Sequence, residues 1–135
     1  MAGGETEYAR FGFRKIFRRG TMDYLQTDTC AAGGLSECKK NADITNAFGV
    51  RYVPHVWGTG VGLSAALSLL AVLPHNLTGR RPWEPKLEFD CPEHPAHQAI
   101  MITPIEHEGG VVNIPTGPGL GIEIDTEALA RFTAE

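Results

Sequence analysis

The chain has 135 residues, a formal net charge of −4 and 42% hydrophobic residues. This composition provides enough apolar material for the core of one domain or less, and it is unlike that of a disordered protein. Arg18-Arg19 and Arg80-Arg81 are short basic clusters, whereas a nucleic-acid surface usually needs a broader basic field. A nucleic-acid partner is therefore not expected.

The cysteines and the apolar runs exclude further classes of protein. Cys30, Cys38 and Cys91 form no close C-x-x-C pair, so we expect neither a zinc site nor a disulfide framework, and reduced thiols fit a cytoplasmic protein. The apolar stretch from Val61 to Leu73 is shorter than the roughly 20 residues that a membrane-spanning helix needs. The N-terminal residues also lack the basic and apolar regions of a signal peptide. We therefore expect a cytoplasmic protein without a membrane partner.

The first 100 residues predict helices and strands in alternation. The predicted elements are helix 6–19, strand 23–28, a helix that opens at Gly33-Gly34 and ends at Gly49, strand 50–53, an apolar helix between the Gly58-Thr59-Gly60 loop and Pro74, and a short strand 86–89. Apolar and small residues at helical spacing define one face of the first two helices: Ala9, Phe13, Ile16 and Phe17, then Leu35, Cys38, Ala42 and Thr45. This order implies an α/β fold in which helices cover a parallel sheet.

The remaining residues, 101–135, predict a separate tail. The pattern changes at Cys91, after which prolines and histidines indicate a crossing loop. The predicted elements of the tail are a hairpin of Met101-Ile102 with 111–114 around a Gly109-Gly110 turn, and a small terminal helix that Thr126 caps and that carries Leu129 and Phe132.

Two titratable residues lie where predicted strands end. Asp28 and His55 are 27 residues apart, a separation that suits one βα unit. In a (β/α)₈ barrel, the catalytic groups occupy the edge at which the strands end. A complete barrel takes about 250 residues, so a chain of this length would form roughly three to four βα units of a partial barrel, or an open α/β layer.

Four residues are candidates for chemistry: Glu5, Asp28, His55 and Glu88. Carboxylates suit a hard cation such as Mg²⁺, and a histidine held by an aspartate makes a general base, because the carboxylate fixes the tautomer and raises the basicity of the imidazole. Three of these residues also have a structural alternative. Glu5 could be solvated near a helix start, Asp28 could bond the local backbone in its turn, and His55 could simply be packed.

The order of several motifs resembles the C-terminal part of enolase-superfamily enzymes, in the mandelate racemase/muconate lactonizing enzyme branch. The motifs are Gly3-Gly4-Glu5, the run 23–28, Gly33-Gly34, the Pro-His-Val-Trp-Gly-Thr-Gly run 54–60, Leu87-Glu88-Phe89-Asp90, and the run 118–123 that begins Pro-Gly-Leu-Gly. Together they cover nearly the whole chain, and the runs that begin at Pro54 and Pro118 are long enough to be specific. Within the branch, the chain is most similar to enzymes that cycloisomerise or dehydrate acid sugars.

The resemblance implies a role for each candidate residue. His55 corresponds to the base that transfers the proton next to the substrate carboxylate, and Asp28 corresponds to its partner in an Asp–His dyad. Glu88 corresponds to the acid that hydrogen-bonds the enolate oxygen, with Glu84 as the competitor for that role. Glu5 corresponds to the third of three carboxylate ligands of Mg²⁺.

The resemblance also implies a fold and a set of partners. The family has a modified TIM barrel and a capping domain, and the tail from about Met101 resembles the segment that packs on that capping domain. An acid sugar or another carboxylate would be the substrate, and a homo-oligomer is expected. The alternative is a non-catalytic chain that associates with itself or with a complementary half.

Overall fold

The structure, a computed structural model, describes residues 1–74, 83–91 and 94–133, so the Arg80-Arg81 cluster lies outside the described residues. The predicted alternation of helices and strands is confirmed, and the fold is α/β. The elements are β1 (Ala2–Gly3), α1 (Ala9–Arg19), β2 (Tyr24–Leu25), α2 (Gly34–Ala47), β3 (Arg51–Tyr52), α3 (Gly60–Val72), α4 (Pro95–Ala99), β4 (His107–Glu108), β5 (Val111–Val112) and α5 (Thr126–Arg131). Among the helices in these described ranges, none has the length and apolar character needed to cross a membrane.

The first three strands form a parallel sheet in the order β1-β2-β3. Ala2 pairs with Tyr24, and Tyr24 pairs with Arg51 on its other side. The sequence pattern did not predict β1, because the strand is only two residues long and contains a glycine, a residue that is depleted in strands. The missed strand matters for the site, since it places Glu5 at the same edge of the sheet as the end of β2, its neighbour.

Helices cover one face of this sheet, and among the described residues no helix covers the other. Leu25 and Tyr52 point to the covered face, where they join the main hydrophobic cluster. The predicted buried face of α1 is confirmed by Phe13 and Phe17, which pack in the same cluster. Tyr24 and Arg51 alternate with these buried residues, so they lie on the opposite face, where Tyr24 is half-buried and Arg51 exposed.

The start of α1 and the buried side of α2 differ from the prediction. Thr6 precedes α1, because the N–H of Glu7 donates to the carbonyl of Gly4 (3.1 Å) and closes a turn there. Leu35 is 40% exposed, whereas Asn41 is completely buried. The buried side of α2 therefore begins one turn later than predicted, at Cys38, where the helix packs against α1, β3 and α3.

The apolar helix α3 connects the sheet to the tail. It is buried on most of its circumference, which is why its apolar residues show no single-sided pattern. Leu63 and Leu67 form a second hydrophobic cluster with Val56 and with Met101 and Ile105 of the tail. The tail therefore packs on α3 through its first residues.

The segment between α3 and the tail is less regular than predicted. Lys86 to Phe89 forms no regular strand, although the N–H of Glu88 donates to the carbonyl of Pro54 at 3.2 Å. The predicted crossing loop contains the five-residue helix α4. Pro95 occupies its first turn, where a missing N–H costs nothing and the fixed φ favours helix.

The hairpin forms around the predicted turn but with another first strand. His107 pairs with Val112, and Glu108 pairs with Val111. Gly109 and Gly110 have φ of +58° and +83°, as a two-residue turn of the tight hairpin type requires. Such a turn pairs the residues next to it, so the predicted strand Met101-Ile102 was wrong, and Met101 instead forms an isolated bridge with Ile124.

The N-terminal cap of the last helix is Asp125, not Thr126 as predicted. The Oδ1 of Asp125 accepts hydrogen bonds from the N–H groups of Glu127 (3.0 Å) and Ala128 (2.9 Å). We therefore expect Asp125→Ala to lower the free energy of unfolding by about 1 kcal/mol, and Thr126→Ala to change it by less than about 0.5 kcal/mol. Urea denaturation of both variants checks this, and a larger loss for Thr126→Ala would contradict the assignment.

Candidate active site

Three of the four candidate residues follow neighbouring parallel strands. Glu5 comes two residues after β1, Asp28 three residues after β2, and His55 three residues after β3. Because the strands are parallel and adjacent, their carboxyl ends meet at one edge of the sheet. Side chains from separate parts of the sequence are thereby gathered at the edge where α/β folds usually bind ligands.

His55 is hydrogen-bonded to Glu88 at this edge. The Nδ1 atom of His55 lies 2.8 Å from Oε2 of Glu88, and the Nε2 amide of Gln26 donates to the same oxygen, also at 2.8 Å. The side chain of His55 is about a quarter exposed and that of Glu88 just under half exposed. The arrangement is a histidine whose Nδ1 is held by a carboxyl group and whose ring is reachable from solvent.

Asp28 makes a different set of contacts from the one expected of a dyad partner. Its Oδ1 accepts hydrogen bonds from the backbone N–H groups of Cys30 (2.6 Å) and Ala31 (3.0 Å). This is the local backbone bonding considered as the structural alternative for this residue. The hydrogen bonds formed within the described residues include none between Asp28 and His55.

Burial, together with the Asp28 carboxylate, raises the pKa of the Cys30 thiol.

The two competing glutamates lie in different places. Glu88 faces His55 and Gln26, whereas Glu84 lines a cavity of about 770 Å³ beside α3, together with apolar residues such as Leu67 and Val112. Of these two glutamates, Glu88 is the one that is hydrogen-bonded to the candidate base.

Gln26 is the site residue that sequence reasoning missed. It lies two residues before Asp28, and side chains two apart share one face of a strand. The sequence therefore placed Gln26 on the same side of the strand as Asp28, and its amide can both donate and accept hydrogen bonds. These two properties were the signal that could have marked it as a site residue. Without the tertiary contact to Glu88, however, nothing in the sequence distinguishes this glutamine from a solvated one.

A second polar group lies on the same sheet face, on the amino side of the site. The Nη1 of Arg51 donates to the hydroxyl of Tyr24 at 3.1 Å, and its guanidinium lies 5.5 Å from the centre of the Trp83 ring. The uncovered sheet face is therefore polar and aromatic rather than aliphatic.

Comparison with known proteins identifies the chain. A model of the family described as enolase C-terminal domain-like matches residues 1–128. The chain belongs to this family. The resemblance to the mandelate racemase/muconate lactonizing enzyme branch is thereby confirmed.

Relatives of this enolase C-terminal domain-like chain include characterised enzymes. It is 47% identical to D-galactarolactone cycloisomerase of Agrobacterium fabrum over 98% of this chain and 35% of the relative. It is 32% identical to arabinonate dehydratase of Saccharolobus solfataricus, over 92% of this chain and 31% of the relative. The chain spans about a third of the length of the relatives it matches.

A solved structure supports the same relationship. The 3,6-anhydro-D-galactonate cycloisomerase of Zobellia galactanivorans superposes with a TM-score of 0.85 at 36% identity, over 99% of this chain and 36% of that one. The fold of the chain therefore follows that of an enolase-superfamily enzyme along nearly its whole length.

The family resemblance implies a Mg²⁺ ligand at Glu5, and the described residues can be tested for the fit. Within residues 1–74, 83–91 and 94–133, no three His, Cys, Asp or Glu side chains are grouped so that they could hold a metal ion. Glu5 is exposed, and a single carboxylate without further protein or substrate oxygens is a poor site for this cation. These residues do not by themselves fit a Mg²⁺ site.

Proposed function

We propose that this chain supplies the proton-transfer residues of an enzyme that acts on an acid-sugar carboxylate and removes the proton next to that carboxylate. The observation that carries the proposal is the 2.8 Å contact between Nδ1 of His55 and Oε2 of Glu88 at the carboxyl edge of a parallel sheet. The cycloisomerase and dehydratase relatives support the choice of substrate class. The outcome would be cycloisomerisation, dehydration or racemisation.

His55 is proposed as the base. When Nδ1 carries its proton and donates it to Oε2 of Glu88, the other ring nitrogen, Nε2, keeps a lone pair. That nitrogen can accept the proton of the substrate, and the hydrogen bond on Nδ1 holds the ring in one orientation as the imidazole becomes positively charged.

Glu88 is proposed to hydrogen-bond the enolate oxygen as negative charge develops there. Its Oε2 accepts from Gln26 and faces His55, so Oε1 is the oxygen that would carry a proton and donate it toward the substrate. Asp28 is proposed as the partner of His55 in an Asp–His dyad. Because its Oδ1 is bonded to two backbone N–H groups, Oδ2 is the oxygen that would accept from Nδ1 of His55, in place of Oε2 of Glu88, once Glu88 turns toward the substrate.

We propose further that the sheet forms part of a (β/α)₈ barrel whose interior face carries Gln26, Arg51 and His55. The polar character of that uncovered face supports this arrangement. Glu5 would then be one carboxylate ligand of Mg²⁺, with the remaining ligands coming from outside the described residues. The tail is proposed to contact a capping domain through its exposed apolar residues, among them Ile102 and Val111.

A chimeric enzyme tests the proposal. The third of the Agrobacterium cycloisomerase that matches this chain is replaced by residues 1–135, and exchange of the substrate α-proton is followed by NMR in deuterated water. We expect exchange and product formation in the chimera. A chimera with native circular dichroism and native size but without exchange would contradict the proposed role of this chain.

A second candidate function, association with another chain, is favoured by a specific observation. Tyr8, Phe11 and Trp57 are each about two-thirds exposed, and β1 is paired on one side only among the described strands. Exposed strand edges and large apolar side chains favour association. In this reading the chain is non-catalytic and binds a second copy of itself or a complementary half.

For this candidate, we expect the isolated chain to elute as a homo-oligomer with a fixed near-ultraviolet circular dichroism signal, because association would cover the open edge and the exposed aromatic residues. Light scattering on a size-exclusion column, with circular dichroism of the same peak, measures both properties. A folded monomer over the accessible concentration range would rule out self-association.

A further inference from the structure

The segment that carries Glu88 is tied only loosely to the sheet by its backbone. Residues 86–89 form no regular strand. Among the backbone hydrogen bonds of the described residues, one joins this segment to the sheet, from the N–H of Glu88 to the carbonyl of Pro54 at 3.2 Å. The position of Glu88 therefore depends also on the side chains next to it in the chain.

Asp90, two residues after Glu88, is paired with a histidine of the tail. Its Oδ2 lies 3.7 Å from Nδ1 of His97 in α4, and the two side chains are only 9% and 7% exposed. Within the part of the chain that the structure describes, neither that oxygen nor either ring nitrogen of His97 has a hydrogen-bond partner. The pairing with His97 is therefore what holds the Asp90 carboxylate inside the protein.

The helix that carries His97 is a firm support for this pairing. The side chain of Gln98 forms two hydrogen bonds with the backbone of Ile105, as a donor to its carbonyl (2.8 Å) and as an acceptor from its N–H (3.0 Å). Ile100 and Met101, directly after α4, are buried in the second hydrophobic cluster on α3. His97 is thus fixed from the side of the tail.

We propose that His97 is a positioning residue for Glu88: by pairing with Asp90, it fixes the backbone from which Glu88 reaches His55. The catalytic meaning of this inference rests on the proposed function, whereas the pairing itself rests on the structure. A buried carboxylate without a partner is strongly destabilising. A cavity of about 340 Å³ borders Asp90 and His97, so without His97 the carboxylate would turn toward solvent and draw the neighbouring backbone with it.

Hydrogen exchange tests the pairing on the chain without substrate. The exchange rate of the Glu88 N–H is compared with that of the Val53 N–H, which is hydrogen-bonded to β2 at 3.0 Å, because local opening changes the ratio of the two rates and a general loss of stability does not. His97→Leu removes the partner of Asp90. His94→Leu is the matched control, since His94 directly precedes the same helix and is exposed.

We expect His97→Leu to accelerate exchange of the Glu88 N–H by about tenfold relative to Val53, the effect of leaving one buried polar group unpaired, and His94→Leu to leave the ratio unchanged. Adding Asp90→Leu to His97→Leu should restore the ratio, because an apolar pair can replace a buried ion pair at little cost. An unchanged ratio in His97→Leu, an equal change in His94→Leu, or a double variant that exchanges as fast as His97→Leu would overturn the inference.

The chimeric enzyme tests the catalytic meaning. His97→Leu should lower kcat by about 10- to 10²-fold, because a catalytic group is misplaced, and change KM by less than about threefold, because Glu88 acts on charge that develops in the transition state. A raised KM with unchanged kcat would contradict the positioning role. If the Glu88 N–H responds as expected while the unmodified chimera exchanges no substrate proton, the pairing stands and the proposed function fails, so the two failures are distinguishable.

Discussion

Replacement of His55 by Asn in the chimeric enzyme is expected to reduce α-proton exchange by about 10²- to 10⁴-fold, the usual contribution of one general base. Asparagine keeps a polar side chain that can hydrogen-bond Glu88, but it has no nitrogen that can accept the substrate proton. Exchange is measured by NMR from the loss of the α-proton signal in deuterated water. Substrate binding should change less than turnover, because the imidazole acts at the reacting carbon.

His107→Asn is the matched control for this experiment. His107 lies in the β4–β5 hairpin and is exposed, so the same chemical change there should leave exchange within about twofold of the unmodified chimera. If His55→Asn exchanges the α-proton at the normal rate, His55 is not the base. Equal losses in the two variants would point to a general effect on the fold rather than to proton transfer.

Replacement of Phe13 by Ala is expected to have the largest effect on stability. Phe13 is 0% exposed and packs in the main hydrophobic cluster with Phe17 and Leu25. Removing a buried phenyl ring leaves a cavity and costs about 3–5 kcal/mol of the free energy of unfolding, which is a large part of the total stability of a small domain. Urea denaturation followed by circular dichroism measures the loss.

Phe11→Ala provides the control on the same helix. Phe11 is 67% exposed and lies beside the Arg10 guanidinium, which is 5.3 Å from its ring centre. Losing that contact should change the free energy of unfolding by less than about 1 kcal/mol. A similar loss in the two variants would mean that α1 does not pack on the sheet through the Phe13 face.

Much of the first half of the fold could be predicted from periodicity alone. In α1 the apolar residues recur at i, i+3 and i+4, and the structure buries Phe13 and Phe17 as this spacing requires. In β2 and β3, short apolar runs between turn residues marked the strands, although the regular ladder is shorter than predicted. The positions of Asp28 and His55 at strand ends followed from the same pattern.

Other elements could not be predicted, because their signals are weak or not local. The strand β1 has two residues, and one of them is a glycine, so its existence depends on pairing with β2. The first strand of the hairpin is His107–Glu108, which carries no apolar alternation. It is selected by the glycine turn beside it, whereas Met101 is drawn into the cluster on α3.

The sequence by itself determined the family, the α/β alternation and the residue types at the carboxyl edge of the sheet, because motif order and periodicity are local properties of the chain. Only the tertiary structure decided which of these groups meet. It brought Glu88 rather than Glu84 to His55, added Gln26 to the same carboxyl oxygen, and bonded Asp28 to its own turn. Such contacts join residues that are tens of positions apart, and their geometry depends on strand register and on the packing of helices, which no local pattern specifies.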